Sequence, residues 1–511
     1  MTTTKHMGGS ARALAGAAIL AGAALLLGVL PTAKAQADSA ALKTYIVVFQ
    51  ATEAQEGQFE LGGDLAANQA AALDLIRNAG GTITADLTAE TGVAIVDSAN
   101  AAFAETVSAS ELVAVVGEDF AWKGLPSRAE FLSGGGVVAP SSTTALAGGG
   151  GAEPSADPLE SQQWDMRMIR TEEAHALQAG WNEVEVAVVD SGIDATHVDF
   201  VDPTGQVTNV DCLKSKDFVV LVGPGVGTPV PCQDNLFHGT HVAGTIAAQA
   251  NGVGIVGVAP NVTLISVKVC DSAEGYCYAS SSVAGIAYAG SIQAEVMNMS
   301  FFTDDDEFRQ STELKCNSDP KQRAFKEAVN RSIAYARSQG VTPVAAAGNS
   351  ATDLGQSKTC DVVPTESPGV FSIVSLGPTG RIAGYSSYGK GTNMVSAPGG
   401  DGGIGTSWCN VQVFSTIPGQ AYGCFQGTSM ASPHAAGVAA LIVSQLGTLG
   451  GDGDVLSDPD TVLDRLGRTA MDIGKYGYDR CYGWGRVDAS RAVINQQPRD
   501  RRDATIPDCG R

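Results

Sequence analysis

The 511-residue chain is poor in positive charge and in aromatic side chains. It contains 32 Lys and Arg residues against 54 Asp and Glu residues, a formal net charge of −22, and only 6% of its residues are aromatic. Nucleic acids and anionic membranes bind proteins through basic patches, so we expect neither as a partner. We interpret the acidic excess as favouring solubility, with a weak attraction for cationic peptides as the lesser alternative.

Long apolar runs are scarce as well, and the one that approaches the length of a membrane span stands at the N-terminus. The run at 13–30 follows two basic residues and precedes Pro31 and the small residues Ala35 and Ala37, which is the pattern of a secretory signal peptide. A membrane anchor is the alternative, but the run is borderline in length and poor in large side chains. We therefore expect 1–37 to be removed, the remainder to be secreted, and no stable membrane span to remain.

No two cysteines have the close Cys-x-x-Cys spacing of zinc or redox sites. The ten cysteines all lie from Cys212 onward, and an even number in an exported chain predicts disulfide bonds. The spacing leaves the connectivity open. We expect neighbours along the chain to pair, with Cys481 and Cys509 fastening the polar C-terminal tail.

Three segments carry the residue types of nucleophilic catalysis. Asp190 closes an apolar, strand-like run at 184–189, His238 opens a helix-compatible segment, and Ser429 stands at the mouth of an apolar helix at 430–446. A serine hydroxyl is a weak nucleophile unless an imidazole accepts its proton and a carboxylate orients that imidazole. The three segments therefore predict an Asp–His–Ser triad.

A fourth segment offers a donor for a developing oxyanion. Asn349 follows Gly348 just after the apolar run at 341–344, and such a side-chain amide typically lowers the barrier by about 3 kcal/mol. The backbone N–H of Ser429 is the expected second donor. Each of the four segments alone is an ordinary turn or helix cap, but together and in this order they favour catalysis.

The spacing of apolar segments indicates the fold class. Strand-like and helix-like stretches alternate through the catalytic region, which predicts a doubly wound α/β fold with a mostly parallel sheet and helices on both faces. The strand-like runs are 184–189, 262–269, 295–299, 341–346 and 370–375, and the helix-like stretches are 240–249, 280–289 and 321–338.

From about 162 to 493 the chain resembles the catalytic domain of a subtilisin-like serine peptidase of the subtilase superfamily. The segments around Asp190, His238, Asn349 and Ser429 carry that resemblance. It implies the subtilisin-like α/β fold and His238, rather than His241, as the base. It also implies an endopeptidase that hydrolyses peptide bonds in proteins through an acyl-enzyme intermediate.

The resemblance extends to the organisation of the precursor. Residues 38–122 form a small α+β pattern that resembles an inhibitory propeptide, with an independent accessory domain as the alternative. We expect it to act on its own chain as inhibitor and chaperone until (auto)cleavage. Residues 123–159, rich in Gly, Ser, Ala and Pro, are expected to be a flexible linker, 160–495 the catalytic domain and 496–511 a tail.

By this resemblance the strand-like segment Asn298-Met299-Ser300 is expected to line the substrate cleft. Where subtilases commonly have Ser-Leu-Gly, this chain has Ser300-Phe301-Phe302. Either Phe302 narrows or walls a substrate pocket, or the strand bulges and turns the ring into the core. The substrate-binding residues expected from the resemblance are Ser300, Phe301, Phe302 and Gly348.

By the same resemblance, the loop 249–255 stands where many subtilases hold a structural calcium ion. Asp199 falls where that site takes a carboxylate, and Gln162 or Gln163 lies near the mature N-terminus. Calcium prefers several oxygen ligands; a Gly-rich connector without an ion is the alternative. The expected Ca2+ ligands are Asp199, Gln163, Gln249, Asn251, Val253 and Ile255.

Two other classes of protein compete with a peptidase. A catalytically dead subtilase that only binds protein would lack a triad or oxyanion residue, and none is missing. An esterase of the nucleophile-elbow type needs Gly-x-Ser-x-Gly and a different chain order. We therefore expect a monomeric serine endopeptidase with protein or peptide substrates.

Overall fold

The computed structural model describes residues 41–509 apart from 56–57, 61–64, 135–136, 139–156, 220–229, 272–273, 304–317, 357–360, 403–407, 451–454, 498–501 and the positions 390 and 392. The expected signal peptide, Cys316 and Cys360 lie outside the described residues. No helix within the described ranges is long and apolar enough to cross a bilayer.

The first folded region is an antiparallel sheet with strand order β4-β5-β1-β6. Its central strand β1 is buried on both faces because alternate side chains enter two cores. Tyr45, Val47 and Phe49 pack towards the helices of this region, whereas Ile46 and Val48 join the core of the catalytic region. The elements are β1 Lys43–Phe49, β2 Thr52–Gln55, β3 Gln58–Glu60, α1 Leu65–Asn78, β4 Gly81–Leu87, β5 Val93–Ser98, α2 Phe103–Ser108 and β6 Val113–Glu118.

The interval 123–159, expected to be a linker, contains regular structure at its N-terminal end. Strand β7, Ala121–Lys123, is followed by helix α3, Arg128–Gly134, and by the short strand β8, Val137–Val138. Low apolar content suggested a linker, but these elements are held by partners elsewhere in the chain: β7 pairs with β13 and β8 with β19. The structure describes the interval again from Asp157.

The catalytic region is built on a sheet of seven strands in the order β10-β11-β9-β14-β15-β16-β17. Every pairing in this sheet is parallel, and its strands are almost continuously buried, as expected when helices cover both faces. The strands of this region are β9 Glu185–Asp190, β10 Lys216–Asp217, β11 Thr263–Lys268, β12 Cys270–Asp271, β13 Tyr276–Tyr278, β14 Val296–Met299, β15 Thr342–Ala346, β16 Phe371–Leu376, β17 Met394–Pro398, β18 Val413–Ile417, β19 Ala421–Phe425, β20 Thr448–Leu449 and β21 Val455–Leu456.

Helices connect these strands, and their apolar side chains share the core with those of the sheet. The α-helices are α4 Trp164–Ile169, α5 Thr171–His175, α6 His238–Ala247, α7 Ala279–Ser291, α8 Pro320–Ser338, α9 Thr428–Leu446, α10 Pro459–Thr469 and α11 Ala489–Ile494, and short 3-10 helices lie at Glu160–Gln162, Val198–Phe200 and Trp408–Asn410. The doubly wound fold expected from the alternation of segments is confirmed. In the N-terminal region, α2 precedes the Val-rich run after Leu112, and that run forms β6.

The described cysteines pair with their neighbours along the chain, as expected. The disulfides are Cys212–Cys232, Cys270–Cys277, Cys409–Cys424 and Cys481–Cys509. The last of them fastens the C-terminal tail, where Ile506 is buried.

Candidate active site

The candidate catalytic residues meet at one edge of the parallel sheet. Strand β9 ends at Asp190, its neighbour β14 ends one residue before Ser300, and the next strand β15 ends three residues before Asn349. Because these strands are parallel, their carboxyl ends lie at the same edge, where α/β sheets bind their ligands. The topology thus brings together segments that lie 49 to 159 residues apart in sequence.

Asp190 and His238 form a buried hydrogen-bonded pair. Nδ1 of His238 lies 2.8 and 2.9 Å from the two carboxylate oxygens of Asp190, and both side chains are inaccessible to solvent. The approach depends on two facing glycines: a Cβ on Gly192 would lie 2.1 Å from Gln233 O, and one on Gly239 would lie 2.1 Å from Gly192 O. A side chain at either position would push α6 away from β9.

A second buried carboxylate, missed by the sequence analysis, holds the start of the histidine helix. Asp234 accepts hydrogen bonds from the backbone N–H groups of Leu236, Phe237 and Thr240 and from the Thr240 hydroxyl. It also accepts one from Ser191 Oγ, next to Asp190. Burial raises the pKa of Asp234, and these donors oppose the rise. Asp234 lies four residues before His238, and an Asp so close to the start of a helix, where its side chain can accept from nearby backbone N–H groups, is the signal that could have suggested this role.

Ser429 is in the first turn of α9 and is nearly buried. Its hydroxyl donates to Ser300 O at 2.8 Å, and the Ser300 hydroxyl donates back to Ser429 O at 2.9 Å. Nε2 of His238 has no hydrogen-bond partner among the described residues. Ser429 and His238 are therefore not hydrogen-bonded to each other in this conformation.

The reciprocal bonds of Ser300 belong to a buried polar network that the sequence analysis did not identify. Asn298 Nδ2 donates to Ser300 Oγ at 2.9 Å, and Ser432 Oγ donates to Asn298 Oδ1 at 2.6 Å. This network ties the end of β14 to the first turns of α9 and so fixes the backbone that carries Ser429. Asn298 stood in a segment identified as cleft-lining, but its role depends on a partner 134 residues away in sequence.

Asn349 is oriented by the turn that precedes the nucleophile helix. Its Oδ1 accepts from the backbone N–H of Thr428 at 3.0 Å and from Thr428 Oγ1 at 2.9 Å. Gly348, at φ 108°, donates its N–H to the same hydroxyl. Because Oδ1 is occupied, the amide nitrogen of Asn349 remains as the donor, which suits an oxyanion partner.

A cavity of ≈ 320 Å³ lies at this edge of the sheet. His238, Ser429, Asn349 and Phe302 line it, together with residues from 123–131. Phe301 is buried instead, with its ring 6.2 Å from that of Trp122. The two phenylalanines thus differ: Phe302 lines the cavity, and Phe301 belongs to the core.

His241, one turn after His238, is separate from this cavity. Its Nε2 lies 3.1 Å from Val413 O and 3.2 Å from Gly423 O. Burial lowers the pKa of His241 to about 3. Its surroundings are those of a neutral structural histidine.

Most of the expected calcium ligands surround one loop. Asp199 is buried and accepts from Ile255 N at 3.0 Å and from the Tyr422 hydroxyl at 2.8 Å. Asn251 and Gln249 brace the same loop by donating from their side chains to carbonyls at 198–201. The side-chain oxygen of Gln163 is already occupied, because it accepts from Val256 N, while the amide nitrogen of Gln163 donates to Val256 O. Gln163 therefore does not offer this oxygen to an ion.

Asp157 joins this loop, although the sequence analysis did not include it. Its carboxylate accepts from Gly252 N at 2.7 Å and from Asn251 N at 3.2 Å. Burial, aided by the charge of the nearby carboxyl group, raises the pKa of Asp199 to about 7; burial likewise raises that of Asp157 to about 6. Neither carboxylate forms an ion pair with Lys, Arg or His within the described structure. The described residues also contain no cluster of three or more His, Cys, Asp or Glu side chains that could hold a metal ion. A cation at this loop would compensate the two buried carboxylates, with carbonyl oxygens completing its ligands.

Comparison with known proteins decides the family. The family described as Peptidase_S8, the subtilase family, matches residues 182–485. The chain belongs to the subtilase family. It is 32% identical over 334 residues to Subtilisin NAT of Bacillus subtilis subsp. natto, which covers 65% of this chain and 72% of that protein. The identity to a subtilisin of Bacillus pumilus is also 32%, over 65% of this chain and 99% of the relative.

A solved structure extends the likeness over the N-terminal region. The epidermin leader peptide processing serine protease EpiP of Staphylococcus aureus superimposes with a TM-score of 0.65 over 90% of this chain and 100% of that chain, at 18% identity. That likeness concerns the fold alone. As a member of its family, this subtilase is a serine endopeptidase, as the sequence analysis expected.

Proposed function

We propose that this subtilase is a secreted endopeptidase that cuts peptide bonds in proteins through Asp190, His238 and Ser429. His238 takes the proton of Ser429 Oγ as that oxygen attacks the substrate carbonyl, and Asp190 holds the imidazole in the required tautomer. The Asn349 amide and the backbone N–H of Ser429 stabilise the oxyanion of the tetrahedral intermediate. His238 then gives this proton to the leaving amine as the peptide bond breaks, which leaves the acyl-enzyme and restores a neutral imidazole. His238 next takes a proton from water, which attacks the acyl-enzyme, and returns it to Ser429 Oγ as the acid product leaves.

The observation that carries this proposal is the contact of His238 Nδ1 with the Asp190 carboxylate at 2.8 Å. This pair lies at the sheet edge where α9 begins, and Ser429 is the second residue of that helix. A proton on Nδ1 that is donated to the carboxylate leaves Nε2 as an acceptor. Ser429 Oγ has to turn from Ser300 O to reach it, and catalytic hydrogen bonds often tighten only when substrate binds.

We further propose that 1–37 directs export and that 38–122 is an inhibitory propeptide removed by self-cleavage. The proposal is supported by contacts between this region and α8 of the catalytic region. Arg331 Nη1 donates to Phe49 O at 2.9 Å, and Gly117 packs so tightly on α8 that a Cβ there would lie 2.8 Å from Pro320 O. A domain held in this way can remain bound after the chain is cut.

The Ser429→Ala variant tests both parts of this proposal. Loss of the nucleophile should reduce turnover on the order of a million-fold, the size of the effect known for subtilisin itself. It should also leave the precursor uncut after signal removal in a host without other proteases. Ser291→Ala, an exposed serine at the end of α7, is the matched control. If the Ser429→Ala chain is still trimmed to the mature form, another protease performs the maturation. If the Ser429→Ala chain still cleaves peptides, Ser429 is not the nucleophile.

We also propose that a structural calcium ion binds at the loop 249–255. Asp157 and Asp199 would hold it together with loop carbonyls of Gln249, Val253 and Ile255, and Gln163 would serve only to anchor Val256. The ion would neutralise two buried carboxylates and fasten the start of the catalytic region to the end of α6.

A further inference from the structure

The segment that follows the propeptide-like sheet enters the cleft as a strand. Strand β7 pairs antiparallel with β13, with Trp122 opposite Cys277. The buried Trp122 ring packs on Phe325 at 5.3 Å, and its Nε1 donates to Phe302 O at 3.1 Å. Edge pairing of this kind is how an extended peptide adds to a sheet.

The same segment reappears on the other side of the nucleophile. Strand β8 pairs antiparallel with β19, with Val138 opposite Tyr422 and Val137 opposite Gly423. Strand β19 ends at Phe425, four residues before Ser429. One stretch of chain, 121–138, is therefore anchored on two sheet edges that flank the candidate active site.

After β7 the described chain does not continue as a strand as far as residue 134. It leaves the strand at Gly124, whose N–H donates to Trp122 O, and then forms α3. Ser127 and Glu130 cap the helix reciprocally: Glu130 N–H donates to Ser127 Oγ at 3.2 Å, and Ser127 N–H donates to the Glu130 carboxylate at 2.7 Å. An ion pair of Glu130 with Lys123, at 2.9 Å, ties the helix to the end of β7.

Helix α3 places an aromatic ring on the candidate base. The Phe131 ring is 5.7 Å from the His238 ring and 4.5 Å from the Phe425 ring, and Phe131 is 5% exposed. Arg128 adds a second contact, with its guanidinium 4.6 Å from the centre of the Phe237 ring. In the same conformation, Nε2 of His238 has no hydrogen-bond partner within the described part of the chain, and the Ser429 hydroxyl donates to Ser300 O.

We propose that α3 is a second inhibitory element of the precursor, distinct from the propeptide sheet, which covers the catalytic cleft by seating Phe131 on His238 and Phe425. Strand addition needs an extended peptide, whereas the backbone of α3 is helical, so α3 cannot pair with a sheet edge and present one of its own peptide bonds to Ser429. Self-cleavage within α3 therefore requires the helix to unwind first. The inference rests on the proposed function, because it names the regulation of the same site.

The test measures access to the nucleophile position separately from proteolysis. In a Ser429→Cys background, which retards self-cleavage, alkylation of the introduced thiol by iodoacetamide reports access in the full-length precursor. Phe131→Ala should raise the alkylation rate about tenfold, equivalent to about 1.4 kcal/mol. Phe131→Leu should be alkylated at nearly the rate of the parent, since leucine keeps a large apolar side chain against His238. Ala129→Ser, an exposed position on the same helix, is the control.

The companion experiment follows self-conversion in chains that retain Ser429. Phe131→Ala should convert to the mature form faster than the parent at equal melting temperature. Glu130→Gln, which weakens the cap without touching His238, should do so to a smaller degree and replaces Phe131→Ala if that variant does not fold. If both Phe131→Ala and Glu130→Gln are alkylated and converted no faster than the parent chain, α3 has no inhibitory role. A parent chain that neither converts nor cuts any substrate would instead contradict the proposed function.

Discussion

The carboxylate of Asp165 lies 3.0 Å from Nε2 of His434, and both side chains are completely buried. His434 Nδ1 lies 2.8 Å from Met430 O, so both ring nitrogens face acceptors. Asp165 belongs to α4, and His434 follows Ser429 by five residues on α9. The pair therefore ties the start of the catalytic region to the helix that carries the candidate nucleophile.

Removing one member of this pair should destabilise the protein strongly. His434→Ala leaves the Asp165 carboxylate buried without its partner, and we expect a loss of about 3 to 5 kcal/mol in the free energy of unfolding. The joint replacement Asp165→Leu with His434→Leu should cost less than His434→Ala alone, because no unpaired carboxylate then remains between α4 and α9. Guanidinium unfolding in a Ser429→Ala background, which prevents autolysis, measures both. A His434→Ala chain within 1 kcal/mol of its parent, on the scale of a lost neutral hydrogen bond, would contradict this.

The calcium proposal predicts a dependence of stability on pH. Burial raises the pKa of Asp157 to about 6 and that of Asp199 to about 7, against about 4 in an unfolded chain. The folded metal-free protein thus binds protons more tightly than the unfolded chain. The stability these groups contribute is full below about pH 4 and is lost as pH rises through 6 to 7.

Calcium should reverse that loss, because it binds the ionised carboxylates of the native state. We expect the increase in melting temperature on adding calcium to be larger at about pH 8 than at about pH 5, where protons compete for Asp157 and Asp199. Asp199→Asn should abolish the response to calcium and reduce the pH dependence. Identical melting curves with calcium and with chelator at the higher pH would end the calcium hypothesis.

The catalytic segments could be predicted from sequence because each is a local pattern. A carboxylate, an amide or a serine directly follows an apolar run or opens a helix, and parallel strands align those ends without further information. Strand β17 was missed because Met394–Pro398 is short and ends in proline. The hairpin of β18 and β19 was missed although Pro418-Gly419 offers a turn signal between them.

Features that depend on distant partners escaped the sequence analysis. Asp157 reaches the loop near Gly252 from 95 residues away, and no local pattern indicates that contact. The composition of the segment that contains α3 suggested a linker. The helix was missed because the aromatic residues that it packs against, Phe237 and Phe425, belong to the catalytic region. Composition reports what a segment can bury by itself, whereas these contacts depend on the surface that the rest of the chain provides.

The orientation of Asn349 makes Thr428 a positioning residue for the oxyanion donor. Asn349→Ala should lower kcat by about 100- to 1,000-fold with little change in KM, because the lost hydrogen bond forms mainly in the transition state. Thr428→Val removes only the hydroxyl that donates to Asn349 Oδ1 and should lower kcat less. Steady-state kinetics on a peptide substrate measure both changes. An unaltered kcat in Asn349→Ala would show that the oxyanion is stabilised by other donors.

Phe302 lines the cavity that contains Ser429 and Asn349. A ring that narrows or walls a substrate pocket is the hypothesis tested by replacing Phe302. We expect Phe302→Gly to broaden the residues accepted just before the scissile bond, because glycine leaves room beside the peptide. Cleavage profiles on a peptide library measure the change, and titration of active sites checks that the triad still reacts. Phe301→Leu is a useful contrast, since Phe301 is buried beside Trp122 and should alter stability or a more distant subsite. If the profiles of Phe302→Gly and the parent coincide, Phe302 does not contact the substrate, and specificity before the scissile bond is set by other residues of the cleft.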